Sequence, residues 1–218
     1  MLFSSTILNL VRLLTVVRIY PNSPLKGYIL FVVLEDNIVF VSMSVSIVNM
    51  TLVLELAKPC IVDDGERRPN FSGTIVRFCG LTFLIFKSCR VVCVGGKNMA
   101  DILETIDLFL EFYSPGNSLV KVEPKNIVGS KNVGTKILMD QTYNESIKNG
   151  YQTIYEPELF ASVRIYLPNC LVSVFGTGKF TFTGAKQKNH IYEAWETVKP
   201  IIKWKRAVST GNLNAQLQ

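Results

Sequence analysis

Two phenylalanines, Phe160 and Phe175, bracket the stretch of this 218-residue chain whose residue types suggest chemistry. They lie near the ends of a hairpin within Tyr155 to Lys186, a segment that reads as two or three strands. Between them Val163, Ile165 and Leu167 alternate with Ser162, Arg164 and Tyr166. That period of two gives a strand two different faces. Gly176-Thr177-Gly178 turns the chain, and Lys179-Phe180-Thr181-Phe182-Thr183 alternates again. Counting back from Phe175 places Ser173 and Leu171 on its face, with Val172 and Val174 opposite. The next strand presents Lys179, Thr181 and Thr183 on the same open face and sends Phe180 and Phe182 inward. Aromatic rings at strand ends beside small and polar groups suit a flat, sequence-poor partner rather than a deep pocket.

The same set of residues occurs earlier in the chain. An offset of 89 residues pairs Phe71 with Phe160, Phe86 with Phe175, Gly95 with Gly184 and Lys97 with Lys186. It also pairs Asn37-Ile38-Val39 with Asn126-Ile127-Val128, and Glu104 with Glu193. Such self-similarity marks an internal repeat. In the first copy Leu84, Phe86, Arg90, Val92 and Val94 take the open face. Asn37 with Val39, and Asn126 with Val128, complete it. The resulting surface has two central amides, small and apolar groups, a Lys and Arg edge, and a phenylalanine pair at each end. It suits the DNA minor groove, which offers mainly the acceptors A N3 and T O2. Asn amides and Thr hydroxyls can donate to those acceptors, while close-packed Val and Leu leave no room for a guanine amino group. Lys and Arg would add a salt-dependent phosphate term.

These side chains need a framework. Tyr28 to Val48 is β-rich, Met50 to Lys58 fits a short helix, residues 59–70 form a loop, and Asn98 to Tyr113 is an amphipathic helix. The apolar stripe of that helix is Ile102, Leu103, Ile106, Phe109 and Leu110. Ser114-Pro115-Gly116-Asn117 ends it. Each half thus reads strand, short helix, loop, three strands, long helix. Two such units side by side predict an α+β fold: one continuous antiparallel sheet with helices on one face. A broad, partly apolar uncovered face is then left for binding.

Tyr155-Glu156-Pro157-Glu158-Leu159-Phe160, the paired phenylalanines, and Thr183-Gly184-Ala185-Lys186 followed by Ile191-Tyr192-Glu193-Ala194-Trp195 resemble the TATA-box-binding protein core, in its second half above all. The resemblance covers roughly residues 37–206. It implies a pseudo-twofold saddle with its helices on the convex face. The domains would be an N-terminal extension 1–36, repeats at 37–114 and 115–206, and a flexible tail 207–218. It implies that Phe71 with Phe86 and Phe160 with Phe175 intercalate and kink DNA from the minor groove, as the family is known to do. Asn37, Val39, Val92, Val94, Asn126, Val128, Thr181 and Thr183 would touch base edges. Arg77, Arg90, Arg164 and Lys179 would touch phosphates. Deformable TA steps would be preferred.

Tyr155 to Leu159 matches the stirrup by which family members recruit transcription factor IIB, so the implied function is a general initiation factor working with RNA polymerase machinery in the nucleus. The departures are specific. Val94 stands where the family has a central Thr and cannot donate, so contact should be asymmetric. Ala161 replaces a Pro, and both Phe-to-Phe spacings are 15 residues, two fewer than the family pattern. The helix carrying Asp101, Glu104, Asp107 and Glu111 has no Lys or Arg, where the family's basic face meets transcription factor IIA; that partner is in question. Such divergence suits a parasite- or virus-encoded version, for which a cytoplasmic viral factory would replace the nucleus.

Composition narrows the alternatives. With 48% hydrophobic residues the chain is globular. Net charge is +6. Residues 1–114 carry ten basic and ten acidic side chains, and 115–218 carry thirteen and seven, so a polyanion should touch the second half more. Residues 1–20 are apolar, but Arg12 and Arg18 interrupt them and the run is short for a span, so no membrane is expected. They read as an extension that packs as a helix or strand.

Cys60, Cys79, Cys89, Cys93 and Cys170 with His190 make a poor metal set, and no cofactor is implied. Gly176-Thr177-Gly178-Lys179 is no phosphate loop, because Ser173 and Phe180 fail its outer positions. His190 reads as a solvated surface residue, and no catalytic constellation emerges. Taken singly, strand-end phenylalanines are usually core. Their recurrence with the Asn and Gly signals carries the DNA reading. Two alternatives remain: an interaction scaffold of this fold with weakened or lost DNA binding, which the neutral first half and Val94 favour, and a substrate-recognition appendage of a nucleic-acid enzyme.

Overall fold

The computed structural model of the chain describes residues 16–17, 29–34, 37–42 and 45–204. It divides into two compact units, Met1–Ser46 and Ile47–Gln218. In the first, β1 (Val16–Val17), β2 (Ile29–Leu34) and β3 (Asn37–Ser42) form a three-stranded antiparallel sheet. The extension expected over 1–20 is described at β1 alone, and the tail expected at 207–218 lies outside the described residues. Among the described residues no helix is long and apolar enough to cross a membrane.

The rest is α+β, as the alternating patterns and one long amphipathic segment dictate. Strands β4 (Ser46–Leu56), β5 (Thr74–Phe78), β6 (Leu81–Ile85) and β7 (Arg90–Gly96) are followed by helix α1 (Met99–Tyr113). Then come β8 (Leu119–Asn132), helix α2 (Met139–Lys148), β9 (Gln152–Glu156), β10 (Phe160–Leu167), β11 (Cys170–Phe175), β12 (Lys179–Ala185) and helix α3 (Lys188–Val198). One open nine-stranded sheet runs β5-β6-β7-β4-β8-β12-β11-β10-β9, so the two halves join between β4 and β8.

Alternation decides which face is covered. Phe83 of β6 lies flat on Phe109 of α1, with ring centroids 4.0 Å apart and planes 8° apart. Phe180 of β12 meets Trp195 of α3 edge-on at 5.2 Å. Phe83, Phe109, Phe180 and Phe182 are fully buried, each contributing about 1.5–3 kcal/mol by leaving water. Val172, Val174, Val163 and Ile165 share that covered side. Asn98 caps α1 by accepting the Ala100 N–H at 3.2 Å. Ile102, Ile106, Phe109 and Leu110 of the expected stripe are buried, while Leu103 faces solvent.

The first half departs from expectation at its opening strand. Residues 50–56 of the stretch read as a short helix belong to β4, whose Met50, Leu52, Leu54 and Leu56 are buried in strict alternation. The second half has α2 between its first and second strands. Between β4 and β5 there is no such helix and no named strand matching β9. Met50 pairs with Gly96 as Ile127 pairs with Ala185, so the opening strands match at an offset of 77, not 89. The nine-stranded sheet therefore begins at Ser46, whereas Asn37 opens a strand of the other sheet. His190 also differs from expectation: it is half-buried, and its Nδ1 is enclosed without a hydrogen-bond partner.

Candidate nucleic-acid interface

Each end of the uncovered face carries an aromatic pair. Phe71 and Phe86 stand 5.6 Å apart at 65°, and Phe160 and Phe175 stand 5.9 Å apart at 74°. Both are edge-on pairs, an arrangement the ring quadrupoles favour. Ser162 lies opposite Phe175 in the β10–β11 ladder, so Phe160 reaches its partner ring from the strand's first residue. Phe160 remains 47% exposed, unusual for a ring without a partner to cover it. Gly73 makes room for Phe71: a Cβ there would stand 2.8 Å from that ring and from the Ile85 carbonyl. Its counterpart Ser162 is buried, and its Oγ has no hydrogen-bond partner.

Between the pairs lie half-buried side chains without charge. β7 gives Val92 and Val94, β8 gives Asn126 and Val128, and β12 gives Thr181 and Thr183. The register between β12 and β8 shifts between Phe182 and Ala185, and that between β4 and β7 shifts between Met50 and Thr51. At both bulges a glycine takes a left-handed conformation, Gly184 at φ +86° and Gly95 at φ +118°. The bulge releases the Gly184 N–H from the ladder, and it donates to Asn126 Oδ1 at 2.8 Å. That bond fixes the amide: the oxygen is used inside, leaving the Nδ2 hydrogens as the donors.

Asn37 and Val39 belong to a different sheet from this one. They belong to β3, where Asn37 pairs with Leu34 and Val39 with Val32. The places expected for them are filled by Asn49 and Thr51 of β4, half-buried on the open side with Val53. Sequence reasoning missed both, because Asn37-Ile38-Val39 copies Asn126-Ile127-Val128 residue for residue. The overlooked signal was the alternation of Asn49, Thr51 and Val53 with Met50, Leu52 and Leu54.

The basic residues are less free than their types suggest. Arg77 Nη1 donates to Glu66 Oε2 at 2.9 Å, and Arg68 Nε to Glu66 Oε1 at 2.7 Å. Those bonds, from Arg68 first and then Arg77, hold the Glu66 carboxyl below its usual range. Arg90 stands opposite Glu55 in the ladder. Arg164 lies with its guanidinium 5.8 Å from the Phe160 ring centre and 3.9 Å from Glu156, its Nε enclosed without a hydrogen-bond partner. Lys179 is exposed at the start of β12, opposite Asn132. Burial pushes the Cys93 thiol up to about 12 and Cys170 to about 11, which keeps both as protonated core residues.

Tyr155 and Glu156 end β9, Pro157 to Leu159 turn outward, and the Leu159 N–H closes the turn on the Glu156 carbonyl at 3.0 Å. Leu159 is 81% exposed. Tyr143 of α2 approaches Tyr155 at 6.1 Å, bracing the base of this loop. In the first half, without that helix, an open groove of about 650 Å³ lies beside Phe71 and Phe86, rimmed by Arg67, Arg68 and Lys87.

Comparison with known proteins agrees with this geometry. A family model described as transcription factor TFIID (or TATA-binding protein, TBP) matches residues 121–204. A TATA-box-binding protein of Dictyostelium discoideum is 31% identical over 174 residues, which span 72% of this chain and 80% of that protein. One from Methanococcus aeolicus is 30% identical over 152 residues, 66% of this chain and 81% of the relative. The match to that of Spodoptera frugiperda, 30% identical, spans 54% of the insect protein. Among solved structures, Methanococcus jannaschii TBP superposes with a TM-score of 0.60 at 24% identity, covering 72% of this chain and 97% of the other.

Proposed function

This chain belongs to the TATA-box-binding protein family, and from that premise we propose that it binds and bends TA-rich promoter DNA through the minor groove and recruits a factor IIB-like protein. Membership supports a transcription-factor role. The observation that carries the finer reading is the pair of edge-on phenylalanine couples at opposite ends of one uncharged face. Between them, amide and hydroxyl donors suit the acceptors of A·T pairs, and branched side chains occupy the space a guanine amino group would need. Phosphate contact falls to Lys179, Arg90, Arg77 and Arg164, with Arg77 exchanging Glu66 and Arg164 exchanging Glu156 for phosphate. Its place of action would be the nucleus, within a preinitiation complex containing RNA polymerase.

The test is an end-to-end distance measurement on a duplex fluorescently labelled at both ends. Addition of the protein should shorten a TA-rich duplex and leave a G·C-substituted control unchanged. Binding without shortening, or none at modest salt, would turn the reading toward an interaction scaffold.

The stirrup carries the partner assignment. Glu156 and Glu158 are exposed on a turn that ends beside Phe160, an acidic surface suited to a basic partner. Glu156→Arg should weaken capture of a factor IIB-like protein by tenfold or more, since like charges across an interface cost several kcal/mol. DNA affinity should be kept or rise, because Glu156 sits outside the uncharged face and its removal frees Arg164 for phosphate. A pull-down and a DNA titration on the same preparation check this; parallel loss of both would remove the stirrup from partner binding.

A further inference from the structure

The two halves of the open face differ in where their hydroxyls sit. In the second half the hydroxyl is on Thr183 of β12, and Val128 of β8 stands across the bulge from it. In the first half the same places are exchanged: β7 carries Val94, and its direct ladder partner on β4 is Thr51. All four side chains are half-buried on the uncovered side. Val and Thr have nearly the same shape, so the exchange preserves the relief of the face and moves only the donor.

The move has a direction. The two wedge couples lie toward opposite ends of the strand order, so a duplex touching both must cross the strands. β4 and β8 meet at the join of the halves, with β7 and β12 one strand further out. Thr183 therefore lies one strand away from the join, whereas Thr51 lies beside it. Strands are about 4.8 Å apart and successive bases about 3.4 Å apart along the helix axis. The first-half donor is thus displaced toward the centre by more than one base-pair step.

We propose that Thr51 has taken over from Val94 as the base-reading hydroxyl of the first half. The unequal distances of Thr51 and Thr183 from the join then give the protein one preferred orientation on a near-symmetric TA-rich site. This rests on the minor-groove reading above and adds a specificity residue to it.

The experiment removes one minor-groove acceptor at a time. Affinity is measured on a TA-rich duplex series in which each adenine in turn is 3-deazaadenine and each thymine in turn is 2-thiothymine. The unmodified protein should show hydroxyl-dependent losses of about threefold to tenfold, the size of a single neutral hydrogen bond, at unequal distances from the site's centre. Thr51→Val should erase the nearer loss, and Thr183→Val the farther one. Adding Val94→Thr to Thr51→Val should create a new loss further out, as far from the centre as the Thr183 loss. Thermal melting checks that each variant is folded.

A profile unchanged by Thr51→Val overturns the proposal while leaving DNA binding intact, as does a symmetric profile for the unmodified protein. Failure of the unmodified protein to bind any duplex overturns the minor-groove reading and this inference together.

Discussion

Phe160→Ala combined with Phe175→Ala should abolish the shortening of an end-labelled TA-rich duplex and lower affinity for it by roughly thirtyfold or more. Opening a base step costs a few kcal/mol, and bending a site this short costs about 1–6 kcal/mol. Only the inserted apolar surface, and the larger area of protein that a bent duplex can cover, offset those terms. Two rings 5.9 Å apart, one of them 47% exposed, supply that surface at one end. Alanine at both positions leaves the deformation cost without its compensation. A loss of about 2 kcal/mol corresponds to the thirtyfold change, and the bound population should shift to an unbent, salt-sensitive complex held by phosphate contacts.

Folding should survive, because Phe160 and Phe175 lie on the uncovered side, away from the Phe180–Trp195 core. A thermal melt verifies that point before any binding is read. Phe71→Ala with Phe86→Ala should remove the wedge at the other end and abolish the shortening in the same way, because a duplex that follows the whole face must open at both ends. Unchanged affinity with retained partner capture would instead support an interaction scaffold. Unchanged shortening would take the wedge role from these rings altogether.

What could be read in advance divides along a physical line. The second half was legible because its alternation is strict. Lys179 to Thr183 places two phenylalanines under α3 and two threonines outward, and nothing distant is needed to see it. α1 was legible for the same reason at the helical period, with Leu103 the one stripe member left outside. The opening strand of the first half was not. Met50 to Leu56 is so apolar that strand and helix compete locally, and pairing with β7 decides for strand. A three-residue identity at Asn37 then drew the register twelve residues away from the ladder's own, because the missing helix between β4 and β5 leaves no gap visible in one sequence. The charged pairs were equally hidden. Glu66 gathers Arg68 and Arg77 only once the loop folds back against β5. Neither bulge shows as a pattern, though Gly95 and Gly184 mark both places.

Asn126→Asp should reduce affinity for TA-rich DNA on the order of a hundredfold while leaving the fold as stable as before. The asymmetry of the amide is the reason. Its Oδ1 accepts the Gly184 N–H at 2.8 Å, where the bulge has taken that group out of the ladder. An aspartate keeps an oxygen in that place, so the junction between β8 and β12 retains its bond. On the minor-groove proposal, the remaining Nδ2 donors are replaced by a charged acceptor that would meet A N3 and T O2, also acceptors, in a groove of negative potential. Losing a charged group's partner inside a desolvated contact costs more than the roughly 1–3 kcal/mol of a neutral case, and about 2.8 kcal/mol already corresponds to a hundredfold. Asn126→Ala separates the two functions of the side chain: it should lose DNA affinity less steeply, yet melt earlier by an amount near one hydrogen bond, about 1 kcal/mol. Titration of both variants against the same duplex, with melting curves beside it, distinguishes the cases. Full affinity in the aspartate variant would mean that Asn126 serves only to hold the bulge, and the central donors of this face would then have to be sought at Asn49, Thr51 and Thr183.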